Sequence, residues 1–160
     1  MKKLYLPLLC LLLLTACGSR PVHHEERSFA ADTWNHFKPE TFQFDIRNAT
    51  DYYNIDLSAT IDTVRYRYES LPLQFTLVSP NGERRQLYGT VQMKDHGRWR
   101  GEMEGTSNLR TASGRIRSFF SFNAKGDYSL EVSQITSQYD LEGIHQIELT
   151  ITRAKVDYDL

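Results

Sequence analysis

Apolar and polar residues alternate with a period of two along most of this chain. Phe42, Phe44 and Ile46 share one face of a first extended segment. Tyr53, Ile55, Leu57, Ala59 and Ile61 share one face of a second, with Asp56, Ser58 and Thr60 opposite. Leu71, Leu73, Phe75 and Leu77 mark a third, and Leu87, Gly89, Val91 and Met93 a fourth. Ser79-Pro80-Asn81-Gly82 lies between these two; Pro presets φ and Asn-Gly tolerates positive φ, so the pair reads as a hairpin. Asp95-His96-Gly97 is a further turn, after which Trp99, Gly101 and Met103 alternate. Thr106 to Arg115 is polar and contains glycine, which predicts a loop. Strands are predicted over Ile116 to Phe122, through Tyr128, Leu130 and Val132, and through Ile147, Leu149 and Ile151. Ala124-Lys125-Gly126-Asp127 makes a tight turn, and Ser137 to His145 has a weak helical or looped character. About eight short strands without a long helix predict one all-β domain, an antiparallel β-sandwich of jelly-roll-like type. A small barrel of the lipocalin sort is the alternative.

The first residues follow a different rule. Lys2 and Lys3 precede an apolar run from Leu4 to Leu14. That run is about 11 residues, the length of a signal-peptide core and short of the roughly 20 a spanning helix needs. It ends in Leu14-Thr15-Ala16-Cys17, a lipobox, in which small residues fit a peptidase cleft and the Cys17 thiol takes the diacylglyceryl group. The chain therefore divides into a lipoprotein signal peptide (1–16), a lipidated tether (17–27), a β-sandwich domain (28–155) and a tail (156–160). The stretch from Gly18 to Glu26 is polar and lacks apolar periodicity, which predicts a tether rather than an element. Gly18 rather than Asp after the cysteine points to the outer membrane. Ser19-Arg20-Pro21 carries no acidic run of the kind that exports lipoproteins to the surface, which favours the periplasmic face.

Cleavage changes the chemistry available. It removes Cys10 and leaves Cys17 acylated, so thiol catalysis, cysteine metal sites and a disulfide are excluded together. Taking a 16-residue leader from 160 residues leaves 144, enough for one domain with its own core. Removing Lys2 and Lys3 from 19 Lys and Arg leaves 17 against 20 Asp and Glu, a net charge of about −3 that gives no footprint for nucleic acid.

Candidate chemistry is sparse. No Gly-x-Ser-x-Gly elbow and no phosphate-binding glycine loop occurs. His23 and His24 are adjacent and so point apart in an extended chain, while His36, His96 and His145 are isolated; no metal site and no cofactor is expected. Asn48, Asp51 and Asn54 form a sparse calcium-like cluster. Trp34 and Trp99 are the candidate contact residues: near loops they would stack on sugars or anchor a protein, and otherwise they cap the core. Asp62-Thr63-Val64 matches a short O-glycosylation sequon of the Bacteroidetes, with Thr63 as acceptor. Three roles follow: a non-enzymatic, lipid-tethered sandwich that docks envelope proteins, a glycan-binding module, or an envelope hydrolase.

Read from Val22 to Arg153, the chain resembles the gliding-motility lipoprotein GldH family of the Bacteroidetes. The resemblance is carried by the lipobox, Glu26-Arg27-Ser28-Phe29 with Trp34 and Phe37, Asp51-Tyr52-Tyr53-Asn54-Ile55, and Ser79-Pro80-Asn81-Gly82-Glu83. Gly97-Arg98-Trp99 with Gly101, Gly126-Asp127-Tyr128 and Leu141-Glu142-Gly143-Ile144 complete it. It implies a membrane-anchored envelope lipoprotein needed for surface gliding, acting beside the type IX secretion machinery through protein partners. The family has no established catalytic residues, so the resemblance assigns none.

Overall fold

The structure, a computed structural model, describes residues 20–155. The strands are β1 (His23–Ser28), β2 (Thr33–Asn35), β3 (Glu40–Ile46), β4 (Tyr52–Asp62), β5 (Ser70–Val78), β6 (Arg84–Gln92), β7 (Lys94–Asp95), β8 (Arg98–Trp99), β9 (Glu102–Met103), β10 (Leu109–Ser121), β11 (Gly126–Gln134), β12 (Asp140–Glu142) and β13 (Ile144–Arg153). A single 3₁₀ turn spans Ala30–Asp32. All the pairings are antiparallel.

Two sheets face each other. One runs β1-β13-β4-β10-β9 and the other β3-β11-β5-β6. Eight strands are six residues or longer, and the rest are two- or three-residue pieces. Counted one to eight along the chain, the long strands lie in the orders 1-8-3-6 and 2-7-4-5, the double Greek key of a jelly roll. The all-β sandwich read from the alternation is thus the observed fold, and the barrel is set aside because the strands separate into two sheets. Phe42, Ile55, Leu57, Phe75, Leu130 and Leu149 are among the side chains filling the space between them. Their period-2 spacing is what turns one face of each strand inward.

Three segments depart from the expected pattern. The supposed tether through Arg27 becomes strand from His23 onward, in register with β13 from His23↔Ile151 to Ser28↔Gln146. Its residues are all polar, as an edge strand allows; backbone pairing to β13 holds it, with His23 and Arg27 reaching across to β3. The supposed loop from Thr106 to Arg115 is mostly the first half of β10, which pairs with β4 from Leu109↔Asp62 onward. Its inward positions include Ala112 and Gly114, too small to register as an apolar pattern. Close approach explains the glycine: a Cβ on Gly114 would lie 3.1 Å from the Thr90 carbonyl oxygen of β6, across the sandwich corner. The weakly helical stretch from Ser137 instead holds β12 and the start of β13. The predicted hairpins are in place. His96 and Gly97, at φ 47° and 74°, make the two-residue turn between β7 and β8, a primed turn that matches strand twist.

β1 turns His23, Glu25 and Arg27 toward the gap between the sheets. The His23 ring sits 5.5 Å from Phe44, and its Nε2 is buried without a hydrogen bond, 3.4 Å from a Glu25 carboxylate oxygen. Burial lowers its pKa below the ordinary 6.5, with Glu25 opposing and His24 and Arg27 reinforcing the shift. Below pH 6.5 the unfolded chain takes up the proton before the folded one, so the stability β1 has at neutral pH is lost on acidification. Amide hydrogen exchange of Glu25 to Ser28, corrected for intrinsic rates, should quicken at about pH 5.5 relative to pH 7.5. His23→Gln should remove that difference; an unchanged pH response would refute the assignment.

Candidate functional site

The sandwich has two unlike ends. At one, the strands are joined by short turns, 47–51, 79–83 and 122–125, beside the point where the chain enters at Arg20 to Val22. At the other lie the long connections, 29–39, 63–69, 93–108 and 135–143, which carry the small sheets β2–β12 and β7–β8. β3 crosses from one end to the other, so the ends stand apart by about 20 Å.

Exposed apolar side chains gather at the long-loop end. Of nine large exposed hydrophobics among the described residues, six lie there: Phe37, Val64, Tyr68, Met103, Ile135 and Tyr139. Phe37 and Tyr139 are both 70% exposed, with ring centroids 5.6 Å apart, and the His36 ring meets Phe37 edge-on at 5.1 Å. Exposed aromatics in mutual contact are the kind of anchor protein interfaces use.

This pair is built on a rigid support. Trp34 of β2 pairs with Leu141 of β12, and both are buried. Trp34 stacks on Phe29 at 4.9 Å and donates its indole N–H to the Lys38 carbonyl at 3.0 Å. Asn35 donates from Nδ2 to Asp140 at 2.7 Å, and its Oδ1 accepts the Phe37 N–H at 2.9 Å. The His36 N–H reaches the Tyr139 carbonyl at 2.6 Å. On the other side of Tyr139, buried Gln134 donates to the Gln138 carbonyl and accepts from the Thr136 N–H and hydroxyl. Both loops are therefore ordered before any partner arrives, which lowers the cost of binding.

Beside the pair, Arg65, Arg67, Tyr68, Gln138, Asp140 and Glu142 line an open groove of both charges. Arg65 of this groove meets Asp32 at 3.4 Å, and the same carboxylate meets His145 Nδ1 at 2.8 Å. His145, isolated in sequence, finds its carboxylate 113 residues away, a pairing that only the antiparallel return of β13 creates. Gly143 locks the same region at φ +82°: its N–H donates to the Asp32 carbonyl, its carbonyl accepts from Asp62, and a Cβ there would lie 2.4 Å from the Tyr66 nitrogen.

The residues singled out in the sequence are dispersed. Trp34 is 1% exposed, so it is a core residue with no face to offer a sugar. Trp99, on β8, packs partly against the core, and the Lys94 ammonium sits 4.2 Å from its ring centroid. With Trp34 buried and Trp99 half-buried, the two tryptophans present no shared exposed surface on which a sugar could stack. Thr63 lies in a distal loop and donates its hydroxyl to the Asn108 carbonyl at 2.9 Å, beside a second bond from its own N–H. A glycan on that oxygen would remove the first bond and keep the second. The sparse calcium candidates each have another partner: Asn48 caps Thr50, Asp51 meets Arg153, and Asn54 accepts from the Phe119 N–H. Cys17 lies outside the described residues.

The profile of the GldH lipoprotein family matches residues 21–151, nearly all of the described sandwich. The chain belongs to the GldH lipoprotein family. GldH membership makes it a gliding-motility-associated, membrane-anchored envelope lipoprotein, as the resemblance in sequence implied. No curated protein matches it in sequence. Two solved structures show a faint likeness: a serine protease of Aeromonas sobria with its chaperone (TM-score 0.37, 14% identity, 86% of this chain and 28% of that one) and the same protease alone (0.35, 13%, 90% and 29%). This chain spans less than a third of either. Of the seven aromatics that carry the GldH resemblance, Trp34, Tyr53 and Tyr128 are buried and Phe29 and Trp99 half-buried, and Gly82, Gly97, Gly101, Gly126 and Gly143 all sit at positive φ. Those residues report the fold. Phe37 and Tyr52, 70% and 47% exposed, are the aromatics of the same set left in solvent, and they stand at opposite ends of the sandwich.

Proposed function

We propose that this GldH lipoprotein is a non-enzymatic docking subunit, acylated at Cys17 and held on the periplasmic face of the outer membrane, whose long-loop end binds envelope proteins of the gliding and type IX secretion machinery. The observation that carries the docking role is the concentration of exposed apolar side chains at that end, around the ordered Phe37–Tyr139 pair. Sheet edges serve this purpose poorly here. Arg27 donates to the Thr41 carbonyl on the outer side of β3 at 2.9 Å, and Arg117 to the Tyr88 carbonyl of β6 at 3.1 Å, so both lateral openings are stitched by arginine. Anchoring confines the domain to a surface and raises its effective concentration for partners there.

The reading is tested in two steps. Cys17→Ser should abolish incorporation of labelled fatty acid and shift the protein from the membrane to the soluble envelope fraction. A photocrosslinker replacing Phe37 in the acylated protein in living cells should trap a component of the gliding or secretion apparatus, while the same probe at Asn48 should not. Equal adducts from both positions would refute the docking face; an unchanged membrane fraction for Cys17→Ser would refute the anchor.

A further inference from the structure

The opposite end of the sandwich carries its own chemistry. Arg20, Arg47 and Arg153 line one cleft with Pro21, Val22 and Tyr53. The Val22 N–H is fixed to the Ile151 carbonyl at 2.7 Å, and the Tyr53 hydroxyl to the Asn48 carbonyl at 2.6 Å, so the cleft walls are firm. Lys125 and Lys155 stand exposed at the same end. Asp45, 3.3 Å from Arg47, Asp51, 3.2 Å from Arg153, and Asp127 oppose them. Glu83 and the two arginines that follow it, Arg84 and Arg85, belong to this end as well, so among the described residues seven basic groups stand against four acidic ones in a chain that is acidic as a whole. Arg47 and Arg153 are strongly exposed, and ion pairs in such settings are worth little, so a phosphate competes readily for the guanidinium N–H groups.

We infer that this cleft seats anionic phospholipid headgroups and stands the domain upright on the membrane, with the Phe37–Tyr139 end pointing away. The inference rests on acylation at Cys17. Four residues lie between that cysteine and Val22, five steps along the chain and a reach of about 17 Å when fully extended. Arg20, three steps from the cysteine, is thereby held within about 10 Å of the headgroup layer, close to one Debye length, and the rest of the cleft within about two. Planar guanidinium suits bidentate contact with phosphate. Upright seating explains the division of labour between the ends: short, basic turns toward the membrane and long, aromatic loops toward partners.

The test uses the full acylated chain in vesicles of phosphatidylcholine, with and without phosphatidylglycerol. With Cys10 removed and Cys17 acylated, Thr50→Cys or Ser137→Cys supplies a single thiol for an environment-sensitive fluorophore at either end. A headgroup-borne quencher should quench the Thr50 label and spare the Ser137 label, more strongly with phosphatidylglycerol and less at high salt. Arg20→Gln, Arg47→Gln and Arg153→Gln should each weaken the upright population about fivefold relative to a freely tumbling anchored one. Failure to co-sediment with vesicles would overturn the anchor and this orientation with it. Co-sedimentation with both labels equally quenched, or quenching at Thr50 indifferent to phosphatidylglycerol and to the arginines, would overturn the orientation alone.

Discussion

Trp34→Ala should destabilise the domain by about 3–5 kcal/mol, the cost of emptying a fully buried indole site in a close-packed core. The residue is 1% exposed, stacked on Phe29 and hydrogen-bonded to the Lys38 carbonyl, and it holds β2 against β12. Denaturant unfolding should show a lower midpoint with an unchanged slope, and thermal unfolding a drop of roughly 10 °C or more for a domain of this size. Trp34→Phe, which keeps the stacking and loses the indole N–H, should cost much less. A nearly unshifted midpoint for the alanine variant would mean that Trp34 does not support the distal loops.

Removing the two exposed rings should do the opposite: leave the fold and take the function. Phe37→Ala and Tyr139→Ala should each change stability by no more than about 0.5 kcal/mol, because solvent-facing side chains contribute little to the core. Against a partner, each interface anchor of this kind is worth about 2 kcal/mol, close to thirtyfold, and the pair should act as one unit rather than add. The double variant should therefore lose in-cell crosslinking from a probe at Ile135 while remaining acylated, membrane-bound and folded. In a motile host it should also stop gliding. Tyr88→Ala, an exposed aromatic on the β6 flank, is the control and should behave as the parent protein. Retained crosslinking in the double variant would remove the docking face from consideration.

How much of this was legible in the sequence follows from what each residue faces. Strands with one apolar side, such as β4 and β5, announced themselves, because Ile55, Leu57 and Phe75 recur at the spacing of the pleat. β1 and the first half of β10 did not. One turns polar rather than apolar side chains toward the gap between the sheets, and the other turns Ala112 and Gly114 inward where a larger side chain would strike β6. The hairpin turns were legible from Asn-Gly and His-Gly because backbone sign limits which residues fit. The site was barely legible. Tryptophan drew attention as a contact residue, yet Trp34 is core and Trp99 partly so, while Phe37 looked like any apolar position ahead of a strand. Exposure depends on which loops share an end of the sandwich, and that is set by the jelly-roll connections. The Asp32–His145 pair escaped for the same reason.

The arginine stitches at the two flanks bear on how such a protein can be packed on a surface. Membrane-anchored proteins diffuse in two dimensions, where sideways collisions are frequent, and unpaired strand edges meeting repeatedly would zip into ribbons. Here a guanidinium already occupies a carbonyl on each flank, Thr41 on one side and Tyr88 on the other. A neighbour arriving sideways must first displace a charged donor. A dense carpet of these molecules can thus remain a collection of individuals.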